Sequence, residues 1–296
     1  MLEIPAHVAS LNSSDLDVAC TAALEAAKII KQAWDSPPDS FKEKDGHYDL
    51  VSEVDERADR AIQTILRTRF PNDSILSEEL NPNIVGDISK GRVWICDPLD
   101  GTACFLFKAD PTAPTVMIAL LENGIPSVSV VVQPIVDRWT YAVRGRGAFT
   151  NGKQVFVAEP SFKGLTQAWV DMNHYGDRSF ESDWFKRIDS FTRGSRGARL
   201  VSRSPPYSGV ALKLLRDSPS VAPSTRGLEA CVHDHNPSKP KQLAWDIVPI
   251  QLIIQEAGGA YVDAERGCDE NLDPFNLRGP IVVGHRSVVK YILENA

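Results

Sequence analysis

Asp97 and Asp100 close an apolar run, Val93-Trp94-Ile95-Cys96, with Pro98 between them and Gly101-Thr102 behind. Carboxylates delivered by a buried strand into a Pro/Gly turn repel one another and are unfavourable unless a cation neutralises them. Hard, anionic oxygen ligands of this kind, with carbonyls exposed by the turn, suit Mg²⁺ better than zinc. Taken alone, the segment reads equally as an ordinary Asp-Gly turn. Other acids stand at comparable places. Glu78 and Glu79 follow the short apolar run Ile75-Leu76, Asp246 opens a very apolar helical stretch after Trp245, and Asp55 falls at the start of another helix. Each has a plain alternative: Glu78-Glu79 as surface charge, Asp246 as an N-cap, and Asp55 as a first-turn acid matched to the helix dipole.

Such side chains need elements to hold them. Apolar residues recur at helical spacing over 14–34 behind Ser13-Ser14, and again over 53–70, where Pro71-Asn72-Asp73 ends the pattern. Extended segments follow at 93–96, 115–121, 128–132 and 139–143, joined in part by Asn123-Gly124, and they predict an antiparallel meander. A further turn at Asn151-Gly152 leads to a short strand over 154–157 and to Glu159-Pro160-Ser161, the expected boundary between sub-domains. Residues 1–160 are therefore expected to form an α+β sub-domain carrying most of the acids, and 161–296 an α/β sub-domain that contributes Asp246 and part of a substrate pocket. In that second half, strands are expected at 167–172, 228–232, 260–262 and 281–283, with helices at 184–191, 207–215, 246–257 and 288–295. Segments 193–206 and 216–226 mix Arg, Ser, Gly and Pro and read as exposed loops.

The chain has 296 residues, 43% hydrophobic and 24% charged, which excludes wholesale disorder, a collagen-like repeat and a bare coiled coil. A net charge of −7 disfavours a protein that grips nucleic-acid polymers through their phosphates. The five cysteines form no CxxC pair and are odd in number, against a disulfide framework or a thiolate zinc site. With neither a signal-peptide pattern nor a long apolar run, a cytoplasmic protein without membrane contact is expected.

Four stretches together resemble the inositol monophosphatase family of Mg²⁺-dependent, lithium-sensitive phosphomonoesterases. Asp49–Asp55 is similar to its D-L-V-T-x-x-D segment, Ser77-Glu78-Glu79 to G-E-E, Trp94–Thr102 to W-x-x-D-P-[IL]-D-G-T, and Trp245-Asp246 through Glu256-Ala257-Gly258-Gly259 to W-D…E-A-G-G. The resemblance implies the layered αβαβα sandwich shared with fructose-bisphosphatases. It implies two or three Mg²⁺ ions, with Glu78, Asp97 and the Leu99 carbonyl holding one, and Asp97, Asp100 and Asp246 a second. Metal-activated water would then hydrolyse a small phosphorylated metabolite of the inositol, sugar or histidinol phosphate kind. Thr102 and Asp55 match the pair that takes the water's proton, with Glu78 serving the chemistry as well, and Gly101-Thr102 match the phosphate-facing helix start. Lys44 is an auxiliary near the metals, and a homodimer is among the assemblies implied.

The chain departs from the pattern around the substrate. Ala103-Cys104-Phe105 stands where inositol monophosphatases have T-N-F and bisphosphate nucleotidases K-E-F, and Lys239 replaces a glutamate that contacts inositol. A 3′(2′),5′-bisphosphate nucleotidase therefore stays open, with Lys239 facing a second phosphate, as does a catalytically silent metal-binding interaction protein. His233-Asp234-His235 reads as a loop rather than a transition-metal site. Arg193, Arg196, Arg199 and Arg203 read as an anion-attracting rim or as solvated charge.

Overall fold

The computed structural model describes residues 2–35, 41–43, 50–83, 89–159, 169–173, 199–200, 211–219, 230–233, 244–267 and 276–295. Two units emerge, Met1–Gln154 with Gln242–Ile253, and Val155–Lys241 with Ile254–Ala296.

In the first unit, a one-turn helix α1 (His7–Ser10) precedes α2 (Ser14–Asp35) and α3 (Glu53–Arg69). Ser13 Oγ accepts the Leu16 N–H at 3.3 Å at the start of α2. The buried stripe of α2 is largely alanine (Ala19, Ala22, Ala23, Ala26, Ala27), which lets it lie close to α3 and the sheet. A hairpin of β1 (Phe41–Glu43) and β2 (Leu50–Ser52), for which the sequence carried no periodic signal, leads directly into α3.

The large sheet is built from β3 (Ser74–Ser77), β4 (Arg92–Asp100), β5 (Thr115–Glu122), β6 (Ile125–Gln133), β7 (Arg138–Val143) and β8 (Ala148–Thr150), in the order β8-β7-β6-β5-β4-β3. From β4 to β7 it is the expected antiparallel meander, β8 adds an antiparallel strand for which none was expected, and β3 lies parallel to β4. Asn123 and Gly124 both have positive φ, 51° and 79°, as a two-residue hairpin between right-twisted strands demands. One sheet face, including Trp94, Cys96, Ile118, Val130 and Tyr141, forms a single core with α2 and α3. Strand alternation turns Ile95, Asp97, Met117 and Val131 to the other face, where they are also buried.

The entry end of β4 is pinned by Arg92. Its guanidinium reaches Asp15 at 2.8 Å and Asp73 and Glu122 at 2.9 Å, and stacks over Phe70. Trp94 Nε1 donates to the same Asp73 carboxylate at 2.9 Å.

β9 (Lys153–Val157) runs into the second unit, where β12 (Leu215–Arg216) pairs with Val157 and Phe156. That unit also holds a five-stranded sheet of β10 (Trp169–Asn173), β11 (Arg199–Leu200), β13 (Ala230–His233), β14 (Gly259–Asp263) and β15 (Ile281–His285), ordered β11-β10-β13-β15-β14. It is mixed: β10 runs parallel to β11 and β13, whereas β13, β15 and β14 are antiparallel. The terminal helix, Arg286–Asn295, packs Val288, Val289 and Ile292 on Val232, Val262 and Val282. Of the helix expected over 207–215, the described part is helical as far as Leu214, with Ala211 in α-helix and Leu212–Leu214 tightened to a 3₁₀ turn, and Leu215 then leaves it to pair with Val157. The helix expected at 184–191 lies outside the described residues.

Candidate active site

A register shift in β4 explains why two acids three residues apart can act together. Residues at that spacing on a regular strand point to opposite faces. Here Asp97 pairs with Met117 but Asp100 pairs with Thr115, so the segment between them holds one residue more than its partner strand. Paired residues share a face, and Met117 and Thr115 are two apart, so the bulge brings Asp100 back to the side of Asp97. Pro98, which has no N–H to give the ladder, sits inside the bulge.

Asp246 arrives from α5 (Ala244–Glu256), in whose first turn it stands. The acids Asp97, Asp100 and Asp246 are all buried, and one oxygen from each lies within 4.8 Å of the others. Among the described residues this is the one such cluster of potential metal ligands. Asp97 also accepts the Leu99 N–H at 3.0 Å, and Thr115 Oγ1 donates to Asp100 at 3.4 Å.

Burial pushes the Asp97 carboxyl well above its usual range, and the charges of Glu78, Asp100, Asp246 and Glu79 push it further. Glu78 leads those neighbours, although its oxygens are not within the 4.8 Å cluster. It is half-buried just beyond β3, its N–H donating to the Cys96 carbonyl at 3.2 Å. Three converging buried carboxylates with hard oxygen donors fit a divalent cation such as Mg²⁺.

A carboxyl whose folded-state pKa is raised supplies stability that is fully present below its unfolded value and is lost as pH rises through the folded value. Metal-free protein therefore melts at a lower temperature at pH 8 than at pH 5.5, and excess Mg²⁺ reduces that difference. Thermal melts in chelator and in Mg²⁺ check this, and a chelator melt that climbs with pH would contradict it.

On the other flank, Asp55 is buried at the head of α3 and uses its two oxygens differently. Oδ2 accepts the Ser52 N–H at 2.9 Å and the Ser52 hydroxyl at 2.5 Å, completing a capping box. Oδ1 accepts the Thr102 hydroxyl at 2.8 Å. Thr102 Oγ1 also lies 3.1 Å from the Leu99 carbonyl oxygen. Burial raises the Asp55 pKa, and the bonds from Ser52 and Thr102 oppose that rise. Gly101 makes the geometry possible: at φ 86° and ψ 34° it turns the chain sharply out of β4 into α4 (Thr102–Leu106). A side chain in that left-handed conformation costs roughly 1–2 kcal/mol.

A profile of the inositol monophosphatase family matches residues 11–292. The chain belongs to the inositol monophosphatase family. The family and its relatives are phosphatases that hydrolyse phosphate monoesters, which places the chain among phosphoric monoester hydrolases. It is 28% identical over 261 residues to a fructose-1,6-bisphosphatase/inositol-1-monophosphatase of Thermotoga maritima, covering 86% of this chain and 87% of that one. With the histidinol-phosphatase of Mycobacterium tuberculosis it shares 32% identity over 206 residues, 68% of this chain and 71% of the relative. The fold matches the crystal structure of the extragenic suppressor protein suhB from Bartonella henselae with a TM-score of 0.75 at 23% identity, covering 96% and 98% of the two chains.

In this family member, Asp55, Glu78, Asp97, Leu99, Asp100, Gly101, Thr102 and Asp246 all fall in the first unit. Lys44, Lys239, Arg193, Arg196, Arg203, Asp234 and His235 lie outside the described residues. Cys104, in the divergent Ala103-Cys104 pair, is half-buried, and burial together with the charges of Asp100 and Asp110 raises its thiol pKa, which keeps it from acting as a thiolate.

Sequence reasoning did not single out Ser52, Asp59 or Thr115. Ser52 and Asp55 form an S-x-x-D pattern ahead of an apolar helix, a signal that was there to be read. Asp59 follows Asp55 by one helical turn on a buried face, a weaker signal. Nothing local marks Thr115, whose role comes from strand pairing.

Proposed function

We propose that this family member hydrolyses a small phosphate monoester, of the inositol, sugar or histidinol phosphate kind. Two or three Mg²⁺ ions would be held by Asp97, Asp100 and Asp246 with Glu78 and the Leu99 carbonyl. The observation that carries this reading is the contact of Thr102 with Asp55 at 2.8 Å, one turn of chain beyond the converged acids. When bound, Mg²⁺ screens the phosphate's charge and lowers the pKa of water at the site.

The chain's own residues supply the rest. Thr102 gives its single hydroxyl proton to Asp55 Oδ1, which leaves the lone pairs of Oγ1 to accept a proton from water beside the substrate. Asp55 must be ionised for this orientation, and the Ser52 bonds to Oδ2 favour that form. Gly101 and Thr102, at the first turn of α4, are the proposed contacts to the phosphate, and Lys239 to the remainder of the substrate. Buried Cys20 and Cys96, neither in a disulfide, fit a reducing, cytoplasmic setting. Among the described residues no helix is long and apolar enough to cross a membrane.

A phosphate-release screen over inositol phosphates, histidinol phosphate, sugar phosphates and adenosine 3′,5′-bisphosphate, with and without Mg²⁺ and Li⁺, tests the proposal. Mg²⁺-dependent release from a small monoester, suppressed by Li⁺, is expected. Release from the bisphosphate alone would transfer the reading to a nucleotidase. Release from none would leave a metal-binding protein without turnover.

A further inference from the structure

Helix α3 carries two buried carboxylates one turn apart, Asp55 and Asp59, and only the first has a place in the chemistry above. Asp59 is fully buried, with both oxygens engaged: Oδ1 accepts Gln63 Nε2 at 2.9 Å, and Oδ2 accepts the Leu80 N–H at 2.9 Å, across 21 residues of chain. Leu80 belongs to the turn that follows β3 and displays Glu78 and Glu79. This turn is closed on itself by Ser77 and Asn81, which exchange N–H···O bonds of 3.0 and 3.2 Å, and Asn81 Nδ2 also donates to the Ile75 carbonyl. Among its ties to neighbouring elements are the Glu78 N–H to Cys96 midway along β4 and the Leu80 N–H to Asp59 on α3.

We propose that Asp59 is a positioning residue for the metal site: by fixing the Leu80 N–H it holds the turn over 77–81, and with it the Glu78 carboxylate, beside Asp97. The inference rests on the Mg²⁺ reading above. A buried side chain whose two oxygens are both bonded, one to Gln63 on its own helix, is fixed in place and leaves little freedom to the backbone N–H it accepts. Glu78 is the foremost charge acting on Asp97, so a small swing of this turn changes the field that a cation meets there. One helix thus sets both sides of the site, Thr102 through Asp55 and Glu78 through Asp59.

Direct Mg²⁺ binding, measured by calorimetry on purified wild-type protein and variants, is the test, with phosphate release at saturating Mg²⁺ alongside. Asp59→Ala is expected to raise the Mg²⁺ Kd roughly tenfold, the range seen when the support of a metal ligand is lost, and to regain most of its rate once Mg²⁺ saturates. Asp59→Leu, apolar and close in volume, gives the same reading if the alanine variant does not fold. Asp59→Asn keeps an acceptor for Leu80 and stays near the wild-type Kd. Ile62→Ala, a buried truncation one turn along the same helix, lowers the melting temperature without moving the Kd. The proposal is overturned if both Asp59→Ala and Asp59→Leu bind Mg²⁺ like wild type. It is also overturned if Asp59→Asn weakens binding as much as they do, which would make charge the cause, or if Ile62→Ala does, which would make it general loosening. Wild-type protein that binds no Mg²⁺ at all would instead remove the reading on which the proposal rests.

Discussion

Replacing Asp97 by Asn lowers Mg²⁺-dependent phosphate release by roughly 10³-fold while raising the melting temperature of the metal-free protein. The rate loss follows from its central position: Asp97 shares a 4.8 Å cluster with Asp100 and Asp246, and Glu78 is the foremost charge acting on it. A cation at such a site supplies several kcal/mol of transition-state charge stabilisation; losing about 4 kcal/mol of it, at 1.36 kcal/mol per tenfold, gives that factor. The stability gain has the opposite origin. Asparagine resembles the protonated carboxyl in shape and adds no charge to its acidic neighbours, so the variant avoids the repulsion that wild type meets as Asp97 ionises. Wild type and variant should converge at low pH and separate as pH rises. Mg²⁺ raises the melting temperature of wild type and leaves that of the variant nearly unchanged. Equal turnover by the two proteins would sink the assignment of Asp97 to the metals, and a lower chelator melting temperature for the variant would show that repulsion does not govern the cluster.

Thr102→Val has the second largest effect, a fall in kcat of about 10²–10⁴-fold, the usual contribution of a positioned proton acceptor. Valine is nearly isosteric but has no hydroxyl, so water loses its acceptor and Asp55 Oδ1 loses the bond now made at 2.8 Å. Because Thr102 is not among the three clustered ligands, the Mg²⁺ Kd should move far less than kcat. Thr102→Ser, which restores the hydroxyl, recovers most of the rate. The Asp55 capping box runs through the other oxygen, so the fold survives, at a cost of about 1–3 kcal/mol for a buried carboxylate oxygen left without its donor. A valine variant with unchanged kcat and weakened Mg²⁺ binding would reassign Thr102 to the metals.

Asp55 and Asp246 show why plain and functional readings of one acid need not compete. Both stand in the first turn of a helix, as their patterns indicate, where a carboxylate is favoured by the free N–H groups. Asp55 caps with one oxygen and holds Thr102 with the other. Local pattern could reveal the cap, because capping is a three-residue matter. The Thr102 contact spans 47 residues, and only the turn at Gly101 together with the packing of α3 against β4 brings it about.

The amino-acid sequence by itself determined whatever depends on short range: the starts of α2 and α3, the Asn-Gly hairpins, the antiparallel run from β4 to β7, and the motifs that mark the family. It carried the helix over 207–215 one residue too far and read Arg216 as loop, because Leu215 and Arg216 pair with Val157 and Phe156. Tertiary structure alone decided that Asp97 and Asp100 face the same way, because parity along a strand changes with one inserted residue and only the pairing partners Met117 and Thr115 reveal the insertion. It also decided that Asp246 joins them and that Asp59 grips the turn carrying Glu78. The physical reason is common to all three. Periodicity records which side of an element is buried, whereas a catalytic constellation depends on which buried sides meet, and that is set by register and packing between segments far apart in the chain.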